Sequence, residues 1–96
     1  MPANDLTLKD ALKIFVEDSK KFKRRLYQAK IKAHWTKTMG TSIVNYTTEI
    51  KIYRKKLFIS ISSAPLRQEL SYGKDKILEM MNEMLGETFL EEVVVR

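Results

Sequence analysis

The sequence predicts an α+β fold in the order α-α-β-β-α-α-β, with a three-stranded sheet and helices packed mainly on one of its faces. Three observations carry that reading. Apolar residues recur at helical spacing through the first forty positions. Two short segments then alternate apolar and polar residues with a period of two, as strands with one buried face do. Two further helical stretches follow, and an apolar run closes the chain.

The elements follow in order. Thr7 can cap a first helix, with Asp10 three residues on completing a short capping box, and Leu8, Ala11, Leu12 and Phe15 fall on one face. The segment "KKFKRRLYQAKIKAHWTKTM" reads as a second, long helix with two stripes. At about 100° per residue, Phe22, Leu26, Ala29 and Ala33 lie together, and Tyr27, Ile31, Trp35 and Met39 lie roughly opposite. A surface helix has a single apolar stripe, so two stripes predict a sandwich. The first helix covers the Phe22 stripe and a sheet receives the Trp35 stripe. Gly40 is a natural C-terminal cap, since glycine adopts φ > 0 there.

In "TEIKIY", Ile50 and Ile52 alternate with Glu49, Lys51 and Tyr53; in "LFISIS", Leu57, Ile59 and Ile61 alternate with Phe58, Ser60 and Ser62. Only "RKK" separates the two, which predicts an antiparallel hairpin pairing Ile52 with Leu57 and Ile50 with Ile59. With no glycine in the turn, its type stays open. Ser63 and Pro65 open a short helix carrying Leu66 and Leu70, which Gly73 interrupts. A further helix from about Asp75 presents Ile77, Leu78, Met81, Met84 and Leu85, and ends at Gly86. "FLEEVVVR" reads as the last strand. The whole, 1–96, reads as one domain: an N-terminal helix over 1–19 and a core over 20–96.

Composition narrows the function. The 96 residues are 44% hydrophobic and 31% charged, which suits a folded, soluble chain. No apolar run reaches the roughly 20 residues that span a bilayer, and the N-terminus lacks the basic and apolar regions of a secretory signal. The absence of cysteine excludes disulfides and thiolate metal sites and suits the cytoplasm. His34 has no second histidine and no nearby acid with which to build a ligand set or a triad. No phosphate-cradling glycine loop is present. The chain is therefore expected to be no enzyme, to need no metal or cofactor, and to have no small-molecule substrate.

Charge says more. Residues 1–19 carry a net −2, residues 20–67 a net +12 with Glu49 as the single acid, and residues 68–96 a net −4. A basic middle between acidic ends attracts polyanions or an acidic partner surface. Lys20, Lys21, Lys23, Arg24, Arg25, Lys30 and Lys32 are candidate phosphate contacts on the long helix. On the hairpin, Lys51, Tyr53 and Phe58, with Arg54, Lys55 and Lys56, interleave rings and cations as a single-strand platform requires. The plainer reading of both groups is a solvated basic helix and cross-strand packing. Nothing reads a 2′-hydroxyl, so single-stranded DNA and RNA are both admitted. His34 falls on the polar flank between Lys30 and Lys37, and Trp35 on the sheet-facing stripe. Met80, Met81 and Met84 suit a core face or an adaptable partner groove.

Leu26, the step from Trp35 through Met39 to Gly40, Ile43, Thr47, the run "LFISISSAPLRQEL", Asn82 with Leu85-Gly86, and the final apolar strand together resemble the DciA-type bacterial replicative-helicase loaders. The resemblance covers roughly residues 20–96. It implies a KH-like fold of type II character, a non-enzymatic role in DNA replication, and two partners, the replicative helicase and single-stranded DNA. The alternative is a protein-interaction module with no intrinsic nucleic-acid binding. Three departures qualify the resemblance. The helix junction Gly73-Lys74-Asp75-Lys76 has a single glycine where a backbone-clamping KH loop has G-x-x-G. There is no cysteine for the zinc ribbon of some relatives. The chain also ends at the strand that in many relatives precedes a disordered tail.

Overall fold

The computed structural model describes residues 7–96. Seven elements follow one another: α1 (Leu8–Thr38), α2 (Gly40–Tyr46), β1 (Thr47–Tyr53), β2 (Lys56–Ile61), α3 (Ala64–Tyr72), α4 (Lys74–Leu85) and β3 (Glu92–Val95). The architecture is α+β in the predicted order and is compatible with a KH-like arrangement.

The first two helices are divided differently from the expectation. No glycine or proline interrupts residues 7–38, and α1 runs unbroken through position 19 for 31 residues. Thr7 accepts from the Asp10 backbone N–H at 3.1 Å and the Asp10 carboxylate accepts from that of Thr7, so the capping box forms. The helix ends where Gly40 takes φ +82°, and α2 occupies "GTSIVNY". The sandwich is therefore not built. Tyr27, Ile31 and Trp35 are buried, but Phe22 is 62% exposed and Leu26, Ala29 and Ala33 also face solvent. Among the described residues no separate first helix covers them, and the N-terminal half of α1 projects from the body, stretching the described chain to 63 Å.

The sheet has the order β1-β2-β3. β1 and β2 are antiparallel, with Ile52 opposite Leu57 and Ile50 opposite Ile59, as the alternation predicts; β2 and β3 are parallel, with Leu57 beside Val93. A parallel neighbour requires a crossover, which α3 and α4 supply. The core lies between the sheet's inner face and α1 and α4, where Ile31, Trp35, Leu57, Ile59, Met81 and Leu90 are the most deeply buried side chains. Trp35 Nε1 donates to Thr47 Oγ1 at 3.0 Å, so the indole is packed and satisfied at once. Met80 and Met84 pack against the same core. Asn82 clamps the backbone of Leu90 through both amide groups, at 2.8 and 3.0 Å. Gln28 accepts from the Ile52 N–H at 2.9 Å, which satisfies a donor on the sheet's edge strand.

Gly73 alone joins α3 to α4, and Lys74 already belongs to the helix. No backbone-clamping loop exists at that junction.

Candidate nucleic-acid interface

The hairpin turn places two cations by an unusual route. With β2 starting at Lys56, the turn has two central residues, and both Arg54 (φ 50°) and Lys55 (φ 63°) are left-handed. That is the geometry of a type I′ turn, ordinarily built from Asn-Gly because a Cβ is disfavoured there. The Lys55 carbonyl accepts from the Glu91 N–H at 2.8 Å, which anchors the turn to the segment leading into β3. The Arg54 guanidinium lies 5.3 Å from the Tyr53 ring centroid.

Facing this turn is the projecting half of α1. Between them opens a cleft of about 520 Å³. Lys20, Lys21, Lys23 and Arg24 line one wall, and Arg54 and Lys55 the other. The loop after α4 closes the floor with Glu87, Thr88 and Phe89, and Glu17 also reaches the rim. Six cations thus meet two carboxylates. Lys20 approaches Glu17 at 3.9 Å and Lys23 approaches Glu87 at 3.1 Å. Among the described residues, Lys21, Arg24, Arg54 and Lys55 have no ion-pair partner. Four unneutralised cations round one concavity focus a positive potential there.

A latch holds the floor. The Tyr27 hydroxyl donates to Glu87, the Lys23 ammonium donates to the same carboxylate, and the Tyr27 ring meets Phe89 edge-to-face at 4.8 Å. The hydrogen bond from Tyr27, and then that from Lys23, hold Glu87 below its usual carboxylate range. The same carboxylate, by accepting from each, raises Lys23 and Tyr27 above their ordinary values. Glu87 and Phe89 are not among the residues that the sequence singles out as candidates. The signal was Gly86: its left-handed φ of 78° ends α4 and turns the next residues toward α1.

The remaining candidates lie elsewhere. Lys51, Tyr53, Lys56 and Phe58 project from the outer face of the sheet, with Lys51 opposite Phe58 and Tyr53 opposite Lys56 as predicted. That face also holds residues the sequence reading missed. Arg96 stacks its guanidinium 4.6 Å from the Phe58 centroid and reaches Glu49 at 3.9 Å, and Lys56 pairs with Glu92 at 3.4 Å. Two of its three cations are therefore ion-paired, and each of its two rings already has a guanidinium beside it, Phe58 that of Arg96 and Tyr53 that of Arg54. Their signal was parity: Arg96 and Glu92 share the outward phase of the last strand. Lys30 lies over Tyr27 at 5.9 Å, Lys32 borders a separate hollow beside Trp35 and Thr47, and Arg25 is exposed on the flank of α1. His34 is half-buried.

Among the described residues, no three His, Cys, Asp or Glu side chains gather in a way that could hold a metal, and no helix is long and apolar enough to cross a membrane. The family model described as Dna[CI] antecedent, DciA, matches residues 7–95. No curated protein and no solved structure matches the chain.

Proposed function

Since the chain belongs to the DciA family, whose role is that of a replicative-helicase loader in DNA replication, we propose that it acts as a non-enzymatic accessory that holds single-stranded nucleic acid for the helicase in the cytoplasm. The observation that carries this reading is the convergence of the α1 cations and the turn cations on one cleft. Lys21, Arg24, Arg54 and Lys55 are the proposed phosphate contacts, and Tyr53, 49% exposed on the outer sheet face just beyond Arg54, offers a ring on which a base stacks once the strand has passed over the turn. Lys20 and Lys23 extend the basic wall. A strand laid along this groove releases counterions, so affinity falls with salt at a logarithmic slope of about −0.7 per phosphate engaged. The test is fluorescence anisotropy of a labelled oligonucleotide. Arg24→Glu combined with Arg54→Glu weakens binding at least tenfold while circular dichroism stays that of the parent; undiminished binding by this variant refutes the cleft.

A second reading is supported by the outer sheet face, whose paired charges suit a protein surface better than a phosphate backbone. On that reading the chain captures the helicase with no measurable affinity for DNA or RNA. Helicase pull-down beside the anisotropy titration separates the two.

A further inference from the structure

The exposed stripe of α1 is a regular seam. From Leu8 to Ala33 it advances in alternating steps of four and three residues, the heptad spacing by which two helices pack side by side. Leu8 is 77%, Phe15 68% and Phe22 62% exposed, and Leu12 and Leu26 are also open to solvent. The seam lies away from the face that carries Tyr27, Ile31 and Trp35 into the core, so a partner helix can lie along it without meeting the body. A contiguous apolar strip of this kind marks an interaction surface.

We propose that its occupant is a second copy of this chain, packed antiparallel to form a two-fold dimer through α1. Two arguments select this occupant. The first is size. In the antiparallel register centred between Lys20 and Lys21, Leu8 meets Ala33 of the second copy, Leu12 meets Ala29, Phe15 meets Leu26 and Ser19 meets Phe22. Symmetry repeats each layer. In three of the four kinds of layer, a large side chain fills the space that a small one leaves. A parallel register instead stacks Phe15 on Phe15 and Phe22 on Phe22, and sets Ser19, Ala29 and Ala33 each against itself, alternating crowded layers with voids.

The second argument is charge. The first third of α1 carries Asp10, Glu17 and Asp18 against Lys9 and Lys13, a net −1, while residues 20–38 carry eight Lys and Arg and no acid. The antiparallel arrangement sets each acid-bearing end beside the basic half of the other copy. At the seam's edges it places Asp18 next to Arg25 of the second copy, twice by symmetry, with Lys9 beside Lys30 as the like-charged contact. The parallel arrangement aligns the two basic halves, with Arg25 beside Lys30 and Lys32 beside Lys37 on both sides against the single favourable contact of Asp18 with Lys23. Opposed helix dipoles add in the same direction. This inference does not rest on the nucleic-acid reading: Lys20, Lys21 and Arg24 lie on the far side of α1 from the seam, and Lys23, in phase with Lys9 and Lys30, is the one cleft cation at the seam's edge.

Sedimentation equilibrium across the micromolar range tests the proposal, with far-ultraviolet circular dichroism and Trp35 fluorescence reporting the fold of each variant. The parent chain sediments with a mass that rises to that of a dimer. Phe22→Glu returns it to a monomer with unchanged Trp35 emission, as expected of a residue outside the core. Asp18→Arg or Arg25→Asp alone weakens the dimer about five- to tenfold, and the double variant, with the two charges exchanged, restores it. The chain has no native cysteine, so orientation is read directly: Leu12→Cys/Ala29→Cys oxidises to a covalent dimer and Leu12→Cys alone does not. A parent chain that is monomeric throughout, a charge exchange without restoration, or ready cross-linking by Leu12→Cys alone each overturns the proposal.

Discussion

Trp35 and Phe22 show how position on one helix decides what a large aromatic residue contributes. Trp35 is 1% exposed and its N–H is satisfied by Thr47. Trp35→Ala opens a cavity and orphans part of a packed core, with an expected loss of about 3–5 kcal/mol. Phe22→Ala removes a ring that touches solvent and leaves monomer stability within about 0.5 kcal/mol. Urea unfolding of the two variants under monomeric conditions checks the contrast. Glu87 makes a different prediction. Its depressed pKa means that its bonds to Tyr27 and Lys23 stabilise the fold above its ordinary value near 4.5 and are lost as pH falls through the lower, folded value. Lys23 and Tyr27 are raised, so their share is present below their ordinary values of 10.5 and 10.0 and is lost as pH rises through the folded ones. The latch is therefore closed across neutral pH. Glu87→Gln flattens the acid limb of the urea midpoint plotted against pH, and an unchanged limb argues against the latch.

At the scale of elements, the hairpin turn holds the chain's clearest local conflict. Two charged residues occupy left-handed positions that each disfavour a Cβ by about 1 kcal/mol. Replacing Arg54-Lys55 with Asn-Gly relieves that strain and stabilises the domain by about 1–2 kcal/mol, but removes two cleft cations. The expected pair of results is a higher urea midpoint and at least a tenfold weaker hold on single-stranded nucleic acid. The hairpin was also the most legible element. Strict alternation leaves Ile50, Ile52, Leu57 and Ile59 one way to face a core together, and a one-residue slip exposes them all. α1 was misread because helical periodicity describes which residues share a face and not what lies against it. The Phe22 stripe looks the same whether it is covered by its own chain or left open. α2 was missed because "GTSIVNY" is short and rich in residues that weaken helices, and its ends are set by Gly40 and the start of β1 rather than by an apolar stripe. Of the candidate site, the cations were visible, but their assembly was not. Lys20 and Arg54 are far apart in sequence, and only the straight path of α1 past residue 20 brings its basic wall opposite the turn.

For the whole molecule, the charge pattern becomes a division of surfaces. The cleft gathers cations that have no ion-pair partner among the described residues, the outer sheet face is largely ion-paired, and α4 presents Glu79 and Glu83 to solvent. A polyanion is thus directed to one side of the body, and the acidic side is left for contacts that do not involve phosphate. Membership of the DciA family makes the replicative helicase the natural partner to test alongside. The most direct measurement is the salt dependence of single-stranded oligonucleotide binding by the parent chain and by Arg24→Glu/Arg54→Glu. With four unneutralised cleft cations engaged, the logarithmic slope is expected to be about −3, and the double variant to fall at least tenfold in affinity with a shallower slope. Binding that is insensitive to salt, that survives in the double variant, or that is undetectable for the parent at low salt contradicts the account.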